Sequence, residues 1–241
     1  MVSRDAFLGG RVVVSQPHDG YRAGVDAVFL AAACPAKASE TVLELGCGVG
    51  VAALCLAARS GAVVTGVEKQ PTYAALAREN GLEVVETDLA DLPADLRQKQ
   101  FHHVMFNPPY FDPSKGAAAP NADRQAARAE ETPLPVWFDV ALKRLRPKGH
   151  LTVIHRAERL PDLLNAMPVR FGAVEVLPLQ ARVGRAAHLI LLRARKDSRT
   201  PFKLLAPKTI HAAAQHEGDH PDYTPEFESI LQDGAALSFR D

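Results

Sequence analysis

The sequence predicts an α/β fold: a seven-stranded, mostly parallel sheet with helices on both faces and a hairpin in front. Three observations carry that expectation. From Thr41 onward, short apolar runs alternate with longer helical stretches, the pattern of strands joined by crossover helices. A glycine-rich loop, Gly46-Cys47-Gly48-Val49-Gly50, falls between one such run and the helix that follows. With 241 residues and 47% hydrophobic content, the chain can bury one substantial core, so residues 1–241 read as a single domain. Within it, residues 1–40 form an N-terminal hairpin and helix, 41–195 the core and 196–241 a C-terminal extension.

The N-terminal part reads as a hairpin built on Gly10–Gln16, turning at Asp19-Gly20 and returning through Tyr21-Arg22. A helix follows, with Asp26 at its cap or in its first turn and Pro35 as its stop. Strands are expected near 42–45, 63–67, 83–86, 103–106, 150–154, 174–177 and 188–192. Helices are expected near 51–60, 71–80, 133–145 and 160–167. Gly61 and Gly81 suit helix C-termini, and Pro71 and Pro133 suit first helical turns. Pro147-Lys148-Gly149 reads as a turn delivering the chain to the next strand. The stretch Asp112–Thr132 lacks an apolar stripe and is long for a loop, and it reads as a lid.

Composition narrows the setting. No run reaches the roughly 20 apolar residues of a membrane span, and the N-terminus is too polar for a signal peptide, so a cytoplasmic protein is expected. Cys34, Cys47 and Cys55 form no Cys-x-x-Cys pair and suit reduced thiols, with no metal site expected. A monomer is the default. The formal charge is zero, from 28 basic and 28 acidic residues. Bases nevertheless gather between Arg182 and Lys208, and acids follow from Glu217 to Asp241. Arg182, Arg185, Arg193, Arg195, Lys196 and Arg199 could track phosphates, although most charge runs are solvated faces.

The glycine loop suits a nucleoside-bearing ligand. A dinucleotide fingerprint would need its third glycine one residue later than Gly50, where Val51 stands. Glu44 would repel a pyrophosphate but suits a cationic ammonium or sulfonium, and S-adenosylmethionine carries both and no phosphate. Glu68, ending the next strand, is placed for ribose hydroxyls. Asp88 is placed for an adenine amino group, with Leu89 offering a backbone amide and Lys69 close by. Ordinary solvated acids at strand ends are the plain alternative, but three in succession along one sheet edge favour a site.

Asn107-Pro108-Pro109-Tyr110 follows the fourth strand. Each proline removes a backbone donor and stiffens the residue before it, so the segment offers acceptors. A planar NH2 group would donate to the Asn107 side-chain oxygen and the Pro108 carbonyl, while Tyr110, and Phe111 beside it, would grip a base. Standing alone, a Pro-Pro after a strand is only a rigid turn.

Val42–Gly50 and Val67-Glu68 resemble the first two motifs of the Rossmann-like class I S-adenosylmethionine-dependent methyltransferases. That resemblance implies methyl transfer and a sheet with a reversed last strand. The tetrapeptide is similar to the motif of enzymes that methylate exocyclic or amide nitrogens: adenine N6, guanine N2 in ribosomal RNA, or the glutamine amide of release factors. Tyr21–Ala32, Arg195–Pro201 and His211 with Tyr223–Glu226 resemble segments of the bacterial tRNA (valine) adenine-N6 methyltransferases. By that resemblance Arg22 and Asp26 lie near the methionine end of the cofactor, and the partner is tRNA, held through Arg182, Arg185, Arg195, Lys196 and Arg199. A glutamine methyltransferase, a guanine-N2 enzyme and a non-catalytic RNA-binding factor of the same fold remain alternatives.

Overall fold

A computed structural model describes residues 1–109, 132–213 and 222–239. The chain opens with β1 (Val2–Phe7), β2 (Val12–Pro17) and α1 (Val25–Ala33). It then alternates through β3 (Thr41–Leu45), α2 (Val51–Ser60), β4 (Val63–Glu68), α3 (Pro71–Glu79) and β5 (Glu83–Glu86). Next come α4 (Ala94–Gln98), β6 (Phe101–Phe106), α5 (Leu134–Arg144), β7 (Leu145–Arg156) and α6 (Leu160–Ala166). The last elements are β8 (Phe171–Gln180), β9 (Ala187–Lys196), β10 (Lys203–Leu204), β11 (Lys208–Thr209) and α7 (Pro225–Asp233).

One sheet dominates, in the order β10-β8-β9-β7-β6-β3-β4-β5, with β11 also on β8. Every neighbouring pair is parallel except those of β9, which runs against both β7 and β8. The seven expected strands are all present, and β10 and β11 add two short segments on the outer side of β8. Both faces of the sheet are covered, which is why a strand such as β3 is buried almost throughout. Side chains alternate between faces: Val42 packs with α1 and α2, whereas Leu43 and Leu45 join α5 in the other core.

Three expectations need correction, and one helix was not foreseen. The hairpin pairs β1 with β2, Val2 opposite Pro17 and Phe7 opposite Val12, so its turn is Leu8–Arg11 rather than Asp19-Gly20. Leu8, Gly9 and Gly10 all take positive φ there, a turn that two adjacent glycines permit. Pro147-Lys148-Gly149 lies inside β7 as an irregularity opposite Phe101 and His103, because the strand already starts at Leu145.

The acidic C-terminal stretch contains a helix, α7, that closes over α1. Phe227 meets Phe29 edge to face at 5.1 Å, and the Leu237 amide donates to the Ala32 carbonyl. Finally, the basic stretch is largely consumed inside the fold. Arg182 pairs with Asp222 at 2.6 Å, Lys208 pairs with Glu226, and Arg193 donates to the Ala33 carbonyl beneath the Phe239 ring. Buried Lys196 donates to the Leu145 carbonyl.

Candidate active site

Register aligns the site. Leu45 pairs with both Val67 and Phe106, so Gly46, Glu68 and Asn107 are neighbours just beyond the carboxyl ends of β3, β4 and β6. This is the edge at which open α/β sheets bind ligands. A cavity of about 390 Å³ opens there, within the range of small-molecule sites.

The glycine loop has a physical reason for each glycine. Gly46, Gly48 and Gly50 have φ of 62°, 55° and 91°, left-handed values that strain other residues. A Cβ on Gly46 would lie 2.5 Å from the Trp137 ring, whereas one on Gly48 would find nothing nearer than Tyr21 at 3.9 Å. The Gly48 amide donates to Glu68 Oε2 and the Gln70 amide to Oε1, both at 2.8 Å. The Lys69 amide is a third backbone donor to this carboxylate, which can accept about four hydrogen bonds in all and so has capacity for a ligand hydroxyl. Burial raises the Glu68 pKa above the ordinary carboxylate range, so donors from a ligand would favour its ionised form. Asn80 ties the loop to the hairpin, donating to the Val49 and Ser15 carbonyls and accepting from the Ser15 amide.

Of the residues expected to hold the cofactor, the cavity wall contains Gly46, Gly48, Glu68, Lys69, Leu89 and Asn107, together with Arg22 and Asp26. Four others are elsewhere. Glu44 shares the α2 face of β3 with Val42; it is buried, and desolvation raises its pKa to about 8. Its Oε2 is buried without a partner, and the residue is not on the cavity wall. Cys47 is buried against Gly66, and Gly50 serves as the N-cap of α2 against Leu82. Asp88 accepts from the Ala90 amide and pairs with Lys69 at 3.1 Å, and the Ala90 bond first, then Lys69, holds its pKa low.

Pro108 and Pro109 also border the cavity, whereas Tyr110, Phe111 and the expected lid up to residue 131 lie outside the described residues. Asn107 donates through Nδ2 to Asp26 Oδ2 at 3.3 Å, while its Oδ1, shielded from water, has no partner. The wall includes residues not singled out beforehand: Tyr21, Tyr73, Thr132, Trp137 and Arg156. Trp137, which donates to the Thr132 carbonyl, is the chain's sole tryptophan, and that was its one sequence signal.

The basic residues divide by edge. Arg156, at the carboxyl end of β7, pairs in register with Leu189 near the start of reversed β9, whereas Arg195 is opposite His150. The β8–β9 loop, with Arg182 and exposed Arg185, therefore faces the cavity's edge. Arg195, Lys196 and Arg199 are at the opposite edge, about 20 Å away at 3.3 Å per residue over His150–Arg156.

Fold, strand order and loop together define a class I methyltransferase. Residues 22–182 match the methyltransferase small domain family, and the chain belongs to that family. S-adenosylmethionine is the methyl donor that this class uses, and the glycine loop and Glu68 fit its ribose. The chain is 29% identical to a tRNA1(Val) (adenine(37)-N6)-methyltransferase of Actinobacillus succinogenes over 83% of this chain and 87% of that one. Its counterpart from Dickeya chrysanthemi is 25% identical, covering 94% and 92%. Among solved structures, a predicted O-methyltransferase of Agrobacterium tumefaciens is 26% identical with a TM-score of 0.71, over 88% of this chain and 98% of that one. A tRNA (m1A58) methyltransferase of Aquifex aeolicus shares the fold at 15% identity and a TM-score of 0.52, covering 75% and 72%. No helix among the described residues is long and apolar enough to cross a membrane.

Proposed function

We propose that this protein transfers a methyl group from S-adenosylmethionine to the exocyclic N6 of an adenine in tRNA, next to the anticodon. The observation that carries this reading is Asn107-Pro108-Pro109 on the cavity wall, beside Gly46 and Glu68, with an unpaired acceptor at Asn107 Oδ1. The relatives named as tRNA adenine-37 methyltransferases, matched over most of their length, supply the RNA and the base.

In this reading Glu68 accepts from the ribose hydroxyls, the Leu89 amide meets the adenine ring, and Lys69 stands beside them. When bound, the cofactor supplies a methyl group on a cationic sulfur. Asn107 Oδ1 and the Pro108 carbonyl accept the two N–H bonds of the acceptor amine and aim its lone pair at that carbon. Held in this way, the acceptor nitrogen would take the methyl group as the C–S electron pair departs with the leaving sulfur, and would then release a proton to water. Positioning supplies much of the acceleration, and no strong base is needed. A base in a single-stranded loop is cheap to extrude into such a cavity. Of the expected phosphate contacts, exposed Arg185 is on the cavity's edge of the sheet; Arg156, which was not among them, borders the cavity.

The test is to incubate the protein with tritiated S-adenosylmethionine and total RNA or cell protein, then digest and identify the labelled nucleoside. Label in N6-methyladenosine of tRNA is expected. Label that resists ribonuclease and follows protein would replace this reading with glutamine methylation, and label in N2-methylguanosine would move the acceptor to guanine. RNA binding without any transfer would leave a non-catalytic factor.

A further inference from the structure

We infer that Asp26 is a positioning residue: its carboxylate fixes the Asn107 amide so that Oδ1, rather than Nδ2, meets the acceptor amine. The inference rests on the nitrogen-acceptor reading above. It assigns Asp26 a different task from the cofactor contact that the sequence suggested.

Hydrogen-bond polarity sets the orientation of the Asn107 amide. An asparagine amide has nearly the same shape in either of its two flips, but one face donates and the other accepts. An amine whose N–H bonds must be accepted meets a rival donor if the amide is turned the wrong way. Nothing in Asn107 itself selects the correct flip. Asp26, in the first turn of α1 and 81 residues away in sequence, is 3.3 Å from Nδ2. A carboxylate only accepts, so the flip that brings Oδ1 towards it would set lone pairs against lone pairs. The amide therefore turns its NH2 to Asp26 and keeps Oδ1 in reserve.

The surroundings follow the same rule. Pro108 and Pro109 have no backbone N–H, and the Trp137 indole N–H on the same wall is spent on the Thr132 carbonyl. Oδ1 itself is shielded from water and unpaired. An unpaired buried carbonyl is destabilising, and a donating ligand removes that cost.

The experiment compares wild type, Asp26→Ala and Asp26→Asn in single-turnover methyl transfer, KM for tRNA and calorimetric cofactor affinity. The Asn107 side-chain NH2 resonances are followed by NMR in each. Asp26→Ala is expected to slow transfer roughly 10- to 100-fold, with cofactor affinity and KM within about twofold of wild type. Asp26→Asn, whose amide oxygen can still accept from Nδ2, should recover much of the rate. The hydrogen-bonded Asn107 proton should move upfield in Asp26→Ala and less in Asp26→Asn. An unchanged rate in Asp26→Ala would overturn the inference. So would a loss of cofactor affinity equal to the loss of rate, which would make Asp26 a cofactor ligand. If the wild type itself fails to methylate RNA, the proposed function fails instead. The Asn107 resonances then decide the inference alone: no change on losing Asp26 would overturn it.

Discussion

The two edges of the sheet carry similar polar residues and use them in opposite ways. At the amino edge they are tied to one another or to the backbone: Glu40 to His103 at 2.9 Å, Thr41 to His102, and Arg195 to the Lys148 carbonyl. Arg170 and Asp197 form a two-bond pair there as well. At the carboxyl edge the backbone turns through three left-handed glycines, and an amide oxygen is left without a partner. The amino edge ties up most of its polar side chains, His103 Nδ1 excepted, whereas the carboxyl edge leaves the Asn107 oxygen open beside the cavity. A basic residue thus has no fixed meaning in this chain until its edge is known.

The largest expected effect breaks the carboxyl edge at its acceptor. Asn107→Ala should reduce the rate of transfer roughly 10²- to 10³-fold, a loss typical of removing one preorganised polar group, with cofactor affinity retained. Single-turnover kinetics beside calorimetric titration separate the two quantities.

The second probes the histidines that β7 carries towards its two ends. Burial, then the charge of Arg159, depresses His155 to about 3; burial, then His103, depresses His150 to about 4. Both remain neutral in the fold but protonate near 6.5 when it opens. Their contribution is fully present above that pH and is lost as the pH falls towards the folded values. For fully buried His155 the loss at pH 5 is about 2 kcal/mol, from 1.5 pH units below 6.5. Denaturant midpoints at pH 7 and pH 5 should therefore differ less in His155→Gln than in the wild type. Burial of Glu44 acts in the opposite direction, costing stability as the pH rises from 4.5 through about 8, so the variant comparison is the informative one.

Third, Gly46→Ala forces a Cβ into the Trp137 ring at a φ of 62°. Cofactor affinity should fall about 10-fold or more, given the cost of a left-handed alanine together with a displaced indole. Tryptophan fluorescence reports the displacement directly, since Trp137 is the sole emitter of its kind.

The smallest effect sharpens the comparison most. Arg185→Ala should weaken tRNA binding roughly 2- to 5-fold and reduce its salt dependence, whereas Arg195→Ala and Arg199→Ala should leave both unchanged. Equal losses from all three would show that the RNA reaches the amino edge too.

Much of this was legible in the residues, and the exceptions have physical causes. Parallel strands buried on both faces write themselves as apolar runs, so Val42–Leu45 and Val63–Val67 were plain. The first strand was not, because Val2–Phe7 alternates only between exposed and half-covered positions and puts polar Ser3 and Asp5 on the covered side. Helix α7 was hidden by its acids, although Phe227 and Ile230 are spaced to share a face. Glu44 and Glu68 looked alike as acids near strand ends. Glu68 ends its strand where two amides converge, whereas Glu44 is one residue short of the end of β3 and turns under α2. Asp88 was well placed in sequence but is engaged by the turn that it caps. The reversal of β9 was expected, yet its effect on Arg195 and Lys196 appears only once the register is known.

The clasp between α7 and α1 also bears on how the molecule is made. Helix α1 brings Asp26 to Asn107, but part of the apolar bed of α1 comes from Phe227 and Leu237, which leave the ribosome long after it. Until they arrive, Phe29 lacks its ring partner and the Ala32 carbonyl its backbone donor. A nascent chain that carries every described residue of the cavity wall but ends before Phe227 therefore lacks part of the packing that seats α1.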